Sequence, residues 1–296
     1  MMAESRHVSV LLDECISNLN IDPDGIYVDG TLGLGGHSAE IAKRLSGGRL
    51  ICIDRDQTAI ERAGKRLAPY ADRITFVHGN FSETASVLNS LGIEAVDGML
   101  FDLGVSSPQL DESERGFSYQ HDAPLDMRMD KSAALTAWTV VNEWDENRLN
   151  RILWDYGEER YARRITAAIL ERRAQKPIET TLELVELIRG AMPASALREK
   201  QHPAKRSFQA IRIAVNDELG EVSTMMDTAP DKLRVGGRLC VISFHSLEDR
   251  LVKNAFRESP YLNVITRKPI IATETEIERN PRSRSAKLRV AEKVAE

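Results

Sequence analysis

The stretch that decides the fold is YVDGTLGLGGHS at residues 27–38, followed by LICID at residues 50–54. An apolar run ends at Asp29, a glycine-rich turn and a helix-like segment follow, and a second apolar run ends at Asp54. This order is typical of the first βαβ unit of a nucleotide-binding sheet, in which an acid about 20 residues further on holds ribose hydroxyls. The stretch therefore predicts a site for an adenosine-containing cofactor, with Asp54 on the ribose.

The glycine turn discriminates between cofactors of this kind. A dinucleotide fingerprint reads G-x-G-x-x-G/A and lays a pyrophosphate on the helix N-terminus, whereas this turn reads GLGGHS from Gly33 to Ser38. Asp29 would repel a pyrophosphate but would attract the sulfonium and ammonium of S-adenosyl-L-methionine. We therefore predict that cofactor, with Asp29, Gly33 and Gly35 at its site. The structural alternative is that Asp29 only caps the helix and the glycines only make a loop.

Length and composition are those of a soluble enzyme. The chain has 296 residues, enough for one large or two modest domains, and a formal net charge of -5. No apolar run reaches the roughly 18 residues of a spanning helix, and the first residues lack a signal-peptide pattern. Three cysteines without a CxxC pair predict a cytoplasmic protein with neither disulfides nor a metal site.

The chain alternates strand and helix up to about residue 102 and resumes this pattern near residue 204. Apolar runs predict strands that end near Asp29, Asp54, Val77, Phe101 and Phe244, and two more at residues 262–266 and 287–291. We predict an α/β fold with a mostly parallel seven-stranded sheet. Residues 1–108 and 205–296 would form the cofactor-binding core, with a helical insertion at 109–204. The helical spacing over residues 204–226 predicts one helix that returns to the sheet.

Two basic segments suggest a nucleic-acid partner. Residues 279–289 carry five basic side chains and no acid, and residues 198–212 carry five basic side chains against Glu199 alone. Such segments neutralise phosphates, although a solvated surface is the simpler interpretation of either one by itself. The net negative charge argues against a protein that coats nucleic acid along its whole surface. The candidate phosphate contacts are Lys205, Arg206, Arg282 and Arg284.

Marked residues follow each predicted parallel strand, where ligands bind in open α/β sheets. They are Asp29, Asp54, Phe81, Asp102 and His245. Phe81 has the shape to cover an adenine face, and His245 is a candidate RNA contact. Each also has a structural interpretation, as a helix cap, a core aromatic or a satisfied histidine. The functional interpretation gains because all five fall on one edge of one sheet.

Several motifs together resemble the MraW-type methyltransferase family. They include the glycine turn, FDLGVSSPQLD at residues 101–111, RGFS at 115–118, PLDMRMD at 124–130, HPAKRSFQAIR at 202–212 and ISFHSLEDR at 242–250. The resemblance runs nearly end to end. It implies a class I enzyme that methylates the exocyclic N4 amine of one cytidine in the decoding region of 16S ribosomal RNA, in the small subunit or a late assembly intermediate. It also implies that the insertion helps to recognise RNA. The residues that would contact the cofactor are Gly35, Gly36, His37, Asp54, Phe81, Asp102 and Gln109.

The reaction defines which further groups to look for. A cytosine amine is a poor nucleophile, so the enzyme must align it with the methyl group and accept its proton, for which no metal is needed. The candidate acceptors are Asp102, Asp126 and a backbone carbonyl of the 104–108 loop. The target base must be unstacked and held, with Phe117, Tyr119 and Phe244 as candidate aromatics.

Two other classes of protein remain open from the residues. One is an oxidoreductase that uses a nicotinamide dinucleotide, and the other is a ribosome-assembly binding protein with a vestigial cofactor pocket. Cofactor binding separates the first from a methyltransferase, and methyl transfer separates the second. The sequence leaves the oligomeric state open, including a homodimer.

Overall fold

The computed structural model describes residues 9–105 and 112–295. The chain divides into two compact units. The first takes in the described residues up to Gly104 and those from Leu219 onward, and the second is Val105–Glu218. None of the described helices is long and apolar enough to cross a membrane.

The first unit contains a sheet, and helices occur in both units. The strands are β1 (Ile26–Asp29), β2 (Arg49–Asp54), β3 (Ile74–His78), β4 (Val96–Asp102), β5 (Leu233–Ser243), β6 (Leu262–Val264), β7 (Ile270–Ile271) and β8 (Lys287–Lys293). The helices are α1 (Leu12–Leu19), α2 (Gly36–Ala42), α3 (Gln57–Leu67), α4 (Thr84–Ser90), α5 (Ala137–Glu143), α6 (Glu146–Asp155), α7 (Ala162–Gln175), α8 (Thr181–Ala191), α9 (Lys205–Asn216), α10 (Glu218–Thr228), α11 (Ser246–Glu258) and α12 (Glu274–Arg279).

The sheet is parallel through its first five strands and antiparallel at one side. Its order is β3-β2-β1-β4-β5-β8-β6, and β7 also pairs with β8. Strands β1 to β5 pair in parallel, whereas β8 runs antiparallel to β5, β6 and β7. The carboxyl ends of β2, β1 and β4 therefore meet at one edge, where open α/β sheets bind ligands.

Both faces of this sheet are buried, which explains the nearly continuous apolar strands. Alternate residues such as Tyr27, Leu50 and Leu100 join one core cluster with residues of α1, α2 and α3. Their neighbours, such as Val28 and Met99, join a second cluster with residues of α4, α10 and α11. The predicted α/β class with a mostly parallel sheet is confirmed, and the structure adds β7, a two-residue strand, to the seven predicted ones.

The second unit is helical and has a core of its own. Among its described residues the only β-pairing is an isolated bridge between Pro124 and Thr180. Helices α5 to α9 surround a cluster that includes Leu149, Ile165 and Phe208. Side chains cap α5, α6 and α8, where Thr136, Asp145 and Thr180 accept hydrogen bonds from backbone amides of the first turn.

The predicted helix over residues 204–226 is wrong as a single element. Asp217 adopts a left-handed backbone (φ 47°), which ends α9 before α10 begins at Glu218. The apolar side of α9, with Phe208 and Ile211, packs in the core of the helical unit, so the boundary between the units follows α9 rather than preceding it. Helical periodicity continues across one left-handed residue, and it does not say which core an apolar face joins.

Candidate active site

Three carboxylates end three neighbouring parallel strands. Asp29 ends β1, Asp54 ends β2 and Asp102 ends β4, and β1 lies between the other two strands in the sheet. The turn at residues 30–35 follows β1 and leads into α2. The structure therefore brings together the acids that the sequence predicts at this edge.

The turn depends on glycine at several positions. Gly33 (φ 52°) and Gly35 (φ 73°) adopt left-handed backbone conformations that other residues rarely take. A Cβ at Gly36 would collide with the hydroxyl of Ser9, and one at Gly30 would collide with the ring of Phe101. The turn is thus a tightly fitted backbone cradle.

Asp29 and Asp54 both stabilise this turn. The Ser38 hydroxyl donates to Asp29 Oδ2 (2.6 Å), and the Thr31 amide donates to Asp29 Oδ1 (3.1 Å). The Gly33 amide donates to Asp54 Oδ2 (2.7 Å), and the Asp56 amide donates to Asp54 Oδ1 (2.8 Å). Burial raises the pKa of each of these two acids to about 6, although these hydrogen bonds act in the opposite direction.

Asp102 has a buried oxygen with unused acceptor capacity. No donor among the described residues reaches its Oδ1 atom, while its backbone amide donates to Thr31 Oγ1 (2.6 Å). Burial raises its pKa to about 6, nearby His37 lowers it, and the charge of Asp29 raises it. Three acids with raised pKa values around one turn make a region that favours a cationic ligand.

His37 lies beneath the turn at the start of α2. Its ring is buried, and Nε2 lies 3.0 Å from the carbonyl oxygen of Val10. Burial lowers its pKa, and Asp102 acts against this. A mostly neutral His37 therefore leaves the negative charge of the three acids largely uncompensated.

Phe81 follows β3, and most of its ring is buried in the core. It is 8% exposed, and it packs edge to face against Phe101 with 6.2 Å between the ring centroids. The Arg55 guanidinium also makes a cation–π contact with Phe81, at 6.0 Å from the ring centroid. Little of the ring remains open to a ligand.

The other predicted residues outside the helical core lie in different surroundings. His245 caps α11, where its Nδ1 accepts from the Glu248 amide (3.4 Å). Arg282 and Arg284 are exposed in the short helix before β8. Gln109 lies outside the described residues. The basic segment that ends at Arg289 is partly neutralised, since Arg289 and Lys287 both bond to Asp249 (2.6 and 3.2 Å).

The helical unit holds the remaining predicted residues. Asp126 is clamped by Arg128, with Nε to Oδ1 and Nη2 to Oδ2 distances of 2.8 Å each. Burial acts to raise the pKa of Asp126, but the bonds and charge of Arg128 outweigh it and the pKa is lowered. Phe117 is buried in the core, Lys205 is exposed, and Arg206 donates to the Glu158 carbonyl (3.4 Å).

Sequence reasoning missed the hydroxyl groups that hold the carboxylates in place. Thr31 connects the turn to the end of β4, and Ser38 binds Asp29 from the first turn of α2. The available signal was a pair of hydroxyl residues flanking the glycines of residues 33–36. Side-chain hydroxyls of this kind commonly bond to nearby backbone and carboxylate groups.

The parallel sheet, the glycine cradle and the acids at the strand ends define a class I methyltransferase that uses S-adenosyl-L-methionine. The profile of the MraW methylase family matches residues 4–294. The chain belongs to the MraW methylase family. This membership decides against the oxidoreductase and the binding protein with a vestigial pocket.

Two relatives support this placement, and one solved structure shares the fold. Proteins named ribosomal RNA small subunit methyltransferase H from Clostridioides difficile (strain 630) and Exiguobacterium sibiricum are 53% and 54% identical. The first match covers 98% of this chain and 100% of the relative, and the second covers 98% and 99%. A crystal structure of a protein from Clostridium thermocellum, whose name proposes an rRNA methylase, shares the fold with a TM-score of 0.50 at 12% identity. The match covers 97% of this chain and 100% of that chain.

Proposed function

We propose that this protein transfers a methyl group from S-adenosyl-L-methionine to the exocyclic N4 amine of a cytidine in the decoding region of 16S ribosomal RNA. The observation that supports the chemistry best is the set of Asp29, Asp54 and Asp102 around the glycine turn. Bound cofactor supplies an electrophilic methyl group on a positively charged sulfur. Buried carboxylates with raised pKa values favour such a cation, whereas a pyrophosphate would add negative charge.

The residues at this edge fit the cofactor in distinct ways. Asp54 retains unused lone pairs on both oxygens and accepts the ribose hydroxyls. The backbone of Gly33 to Gly36 forms the cradle, with left-handed conformations at Gly33 and Gly35 and no room for a Cβ at Gly36 beside the Ser9 hydroxyl. Asp29 contributes charge from beneath the turn, Phe81 contributes an apolar edge, and His37 lies near Asp102. Gln109 is a further proposed contact of the cofactor, which the family resemblance implies.

Asp102 is the better of the two candidate carboxylate proton acceptors. Its Oδ1 atom has no donor among the described residues, and its pKa is about 6. Asp126 has both oxygens on Arg128 and a lowered pKa, which makes it a weak base. Asp102 therefore takes the proton as the amine becomes tetrahedral, and it orients the amine beforehand.

The RNA partner is contacted mainly through basic side chains. Lys205 and Arg206 belong to the helical unit, and Arg282 and Arg284 to the sheet unit. Phosphate contacts of this kind add salt-dependent affinity without reading sequence. The substrate is the small subunit or a late assembly intermediate, and the protein acts in the cytoplasm where these particles form. Tyr119, which is half-buried, remains a candidate platform for a base, whereas Phe117 is committed to the core.

The test is transfer of a tritiated methyl group to small subunits from a strain that lacks the enzyme. We expect label in 16S ribosomal RNA, at the N4 atom of one cytidine, after nuclease digestion and nucleoside mapping. Subunits from the strain that carries the enzyme are the control and should accept little label. Label on another base, or none on RNA from the deficient strain, would contradict the proposal.

A further inference from the structure

Thr31 joins the ends of two neighbouring strands at the cofactor edge. It is the second residue after β1, and its hydroxyl accepts the backbone amide of Asp102, the last residue of β4 (2.6 Å). Its own backbone amide donates to Asp29 Oδ1 (3.1 Å). One residue of the glycine turn is therefore bonded both to the end of β4 and to the carboxylate that ends β1.

The hydroxyl of Thr31 replaces a bond of the sheet. Strands β1 and β4 stay in register up to Asp29 and Leu100, and the Gly30 amide still donates to the Leu100 carbonyl (2.9 Å). In a continuing parallel ladder the Asp102 amide would donate to the next backbone carbonyl of the first strand, that of Gly30. The chain turns away from the sheet at this point, and the Thr31 side chain accepts the Asp102 amide.

On its other side, β4 is held by backbone bonds to β5. Asp102 pairs with Ile242, and the Leu103 amide donates to the Ile242 carbonyl (3.0 Å). Loss of the Thr31 bond therefore leaves β4 in the sheet but lets its end move relative to the turn. The Asp102 carboxylate accepts the Gly104 amide, and no donor among the described residues reaches its Oδ1 atom. Because Gly104 belongs to the same stretch of chain, the carboxylate moves with the end of β4.

We propose that Thr31 is a positioning residue for methyl transfer, which sets the distance between the Asp102 carboxylate and the cofactor turn. The inference rests on the proposed function, in which Asp102 orients the amine and takes its proton. A methyl group in place of the hydroxyl stays about 3.5 Å from an amide nitrogen, so valine displaces the end of β4 by about 1 Å from its place in the 2.6 Å bond. A displacement of about 1 Å can slow a reaction on the order of a hundredfold.

The test measures single-turnover methyl transfer to subunits from the deficient strain, with cofactor and subunits at saturation. Thr31→Val should slow transfer about ten- to hundredfold. The dissociation constant of the cofactor should change by less than about threefold, because valine keeps the backbone amide that donates to Asp29. Thr31→Ser keeps the hydroxyl and should restore a rate close to that of the wild-type protein.

Thr266→Val is the matched control. The Thr266 hydroxyl also accepts a backbone amide of the sheet, that of Val290 (2.9 Å), but Val290 lies in β8, two strands from β4. This variant loses a bond of the same kind and should transfer methyl groups at the wild-type rate. If it slows transfer as much as Thr31→Val does, the loss is one of stability in general and the inference is overturned.

A double-mutant cycle shows whether Thr31 acts through Asp102. Thr31→Val added to Asp102→Asn should slow transfer by no more than about a further twofold, because the group that Thr31 positions can no longer take a proton. If the two losses multiply, or if Thr31→Ser is as slow as Thr31→Val, the inference is overturned. If Thr31→Val does not fold, Thr31→Ala takes its place, since the smaller side chain leaves room for water at the Asp102 amide, and the same slowing is expected.

The outcomes separate this inference from the proposed function. Methyl transfer to the cytidine by the wild-type protein, with a rate that Thr31→Val or Thr31→Ala leaves unchanged, would refute the positioning role alone. A normal rate in Asp102→Asn would refute the acceptor role and the positioning role together. A wild-type protein that transfers no methyl group to these subunits would refute the proposed function, and the positioning role with it.

Discussion

Asp54 accepts one backbone amide on each carboxylate oxygen, so its substitution affects both the ribose and the turn. Asp54→Ala should weaken S-adenosyl-L-methionine binding by about 1.5–3 kcal/mol, the range for charge-assisted hydrogen bonds. Titration calorimetry measures the change in cofactor affinity. Glu61→Ala, an exposed acid on α3, is the control and should bind normally. An Asp54→Ala variant that folds and keeps its cofactor affinity would refute the ribose assignment.

Asp102 combines two roles that only kinetics can separate. Asp102→Asn keeps an oxygen acceptor but cannot take a proton. If Asp102 accepts the amine proton, single-turnover methyl transfer at saturating cofactor should fall on the order of a hundredfold or more. If it only holds the cofactor, the dissociation constant rises and the rate at saturation stays nearly normal. The second outcome would move the acceptor role to a backbone carbonyl.

The raised pKa values of Asp29, Asp54 and Asp102 make the folding stability depend on pH. Each folded pKa is about 6 against an ordinary 3.8, so the folded protein binds more protons than the unfolded chain between these values. The contribution of these acids to folding stability is therefore fully present below about pH 4 and is lost as the pH rises through 6.

A bound cation stabilises the ionised form of these acids and therefore lowers their pKa values. S-adenosyl-L-methionine should therefore bind about tenfold more tightly at pH 7 than at pH 5 for each acid that it deprotonates. Calorimetry near pH 5.5 in buffers of different ionisation enthalpy should show proton release. Asp29→Asn is expected to reduce the number of protons released. Affinity that is independent of pH over this range would contradict the idea.

At the scale of elements, α9 carries the strongest basic candidates for RNA contact. Lys205 and Arg206 occupy its first turn. Alanine at both positions should weaken small-subunit binding and reduce the slope of log affinity against log salt by roughly 1 to 2. Alanine at Lys253 and Arg257, exposed on α11, removes the same charge and controls for net charge. An unchanged slope in the Lys205 and Arg206 variant would mean that these side chains do not contact phosphates.

The sequence predicted local elements well and their assignment to a core less well. The ends of β1, β2 and β4 were predicted at or next to the residues where the structure ends them, because an apolar run that stops at an acid is a local signal. The break at Asp217 was missed, since a left-handed residue between two amphipathic helices leaves their periodicity intact. The same limit applies to the site. The acids were read from strand ends, but the clamp of Arg128 on Asp126 depends on loop geometry that no spacing rule encodes.

The helical unit has the features of an independent domain within the whole molecule. Its core residues all lie between Val105 and Glu218, and its first and last parts are joined to each other. The Asn216 side chain donates to the Met127 carbonyl (2.8 Å) and accepts from the Met129 amide (2.8 Å). Arg212 pairs with Glu218 at 2.8 Å. The two Asn216 hydrogen bonds fix the end of α9 to the loop that follows Arg115, so the first and last parts of the segment are held within one unit.

We therefore expect residues 105–218, expressed alone, to fold. A continuous segment with its own buried core meets the requirements for a domain, and its size is within the usual range. Circular dichroism should show a helical fragment with one cooperative unfolding transition. Asn216→Ala in the fragment should lower its unfolding free energy by about 1–3 kcal/mol, because two buried backbone groups lose their partner. A fragment that unfolds without a transition and binds a hydrophobic dye would show that its core requires the sheet unit.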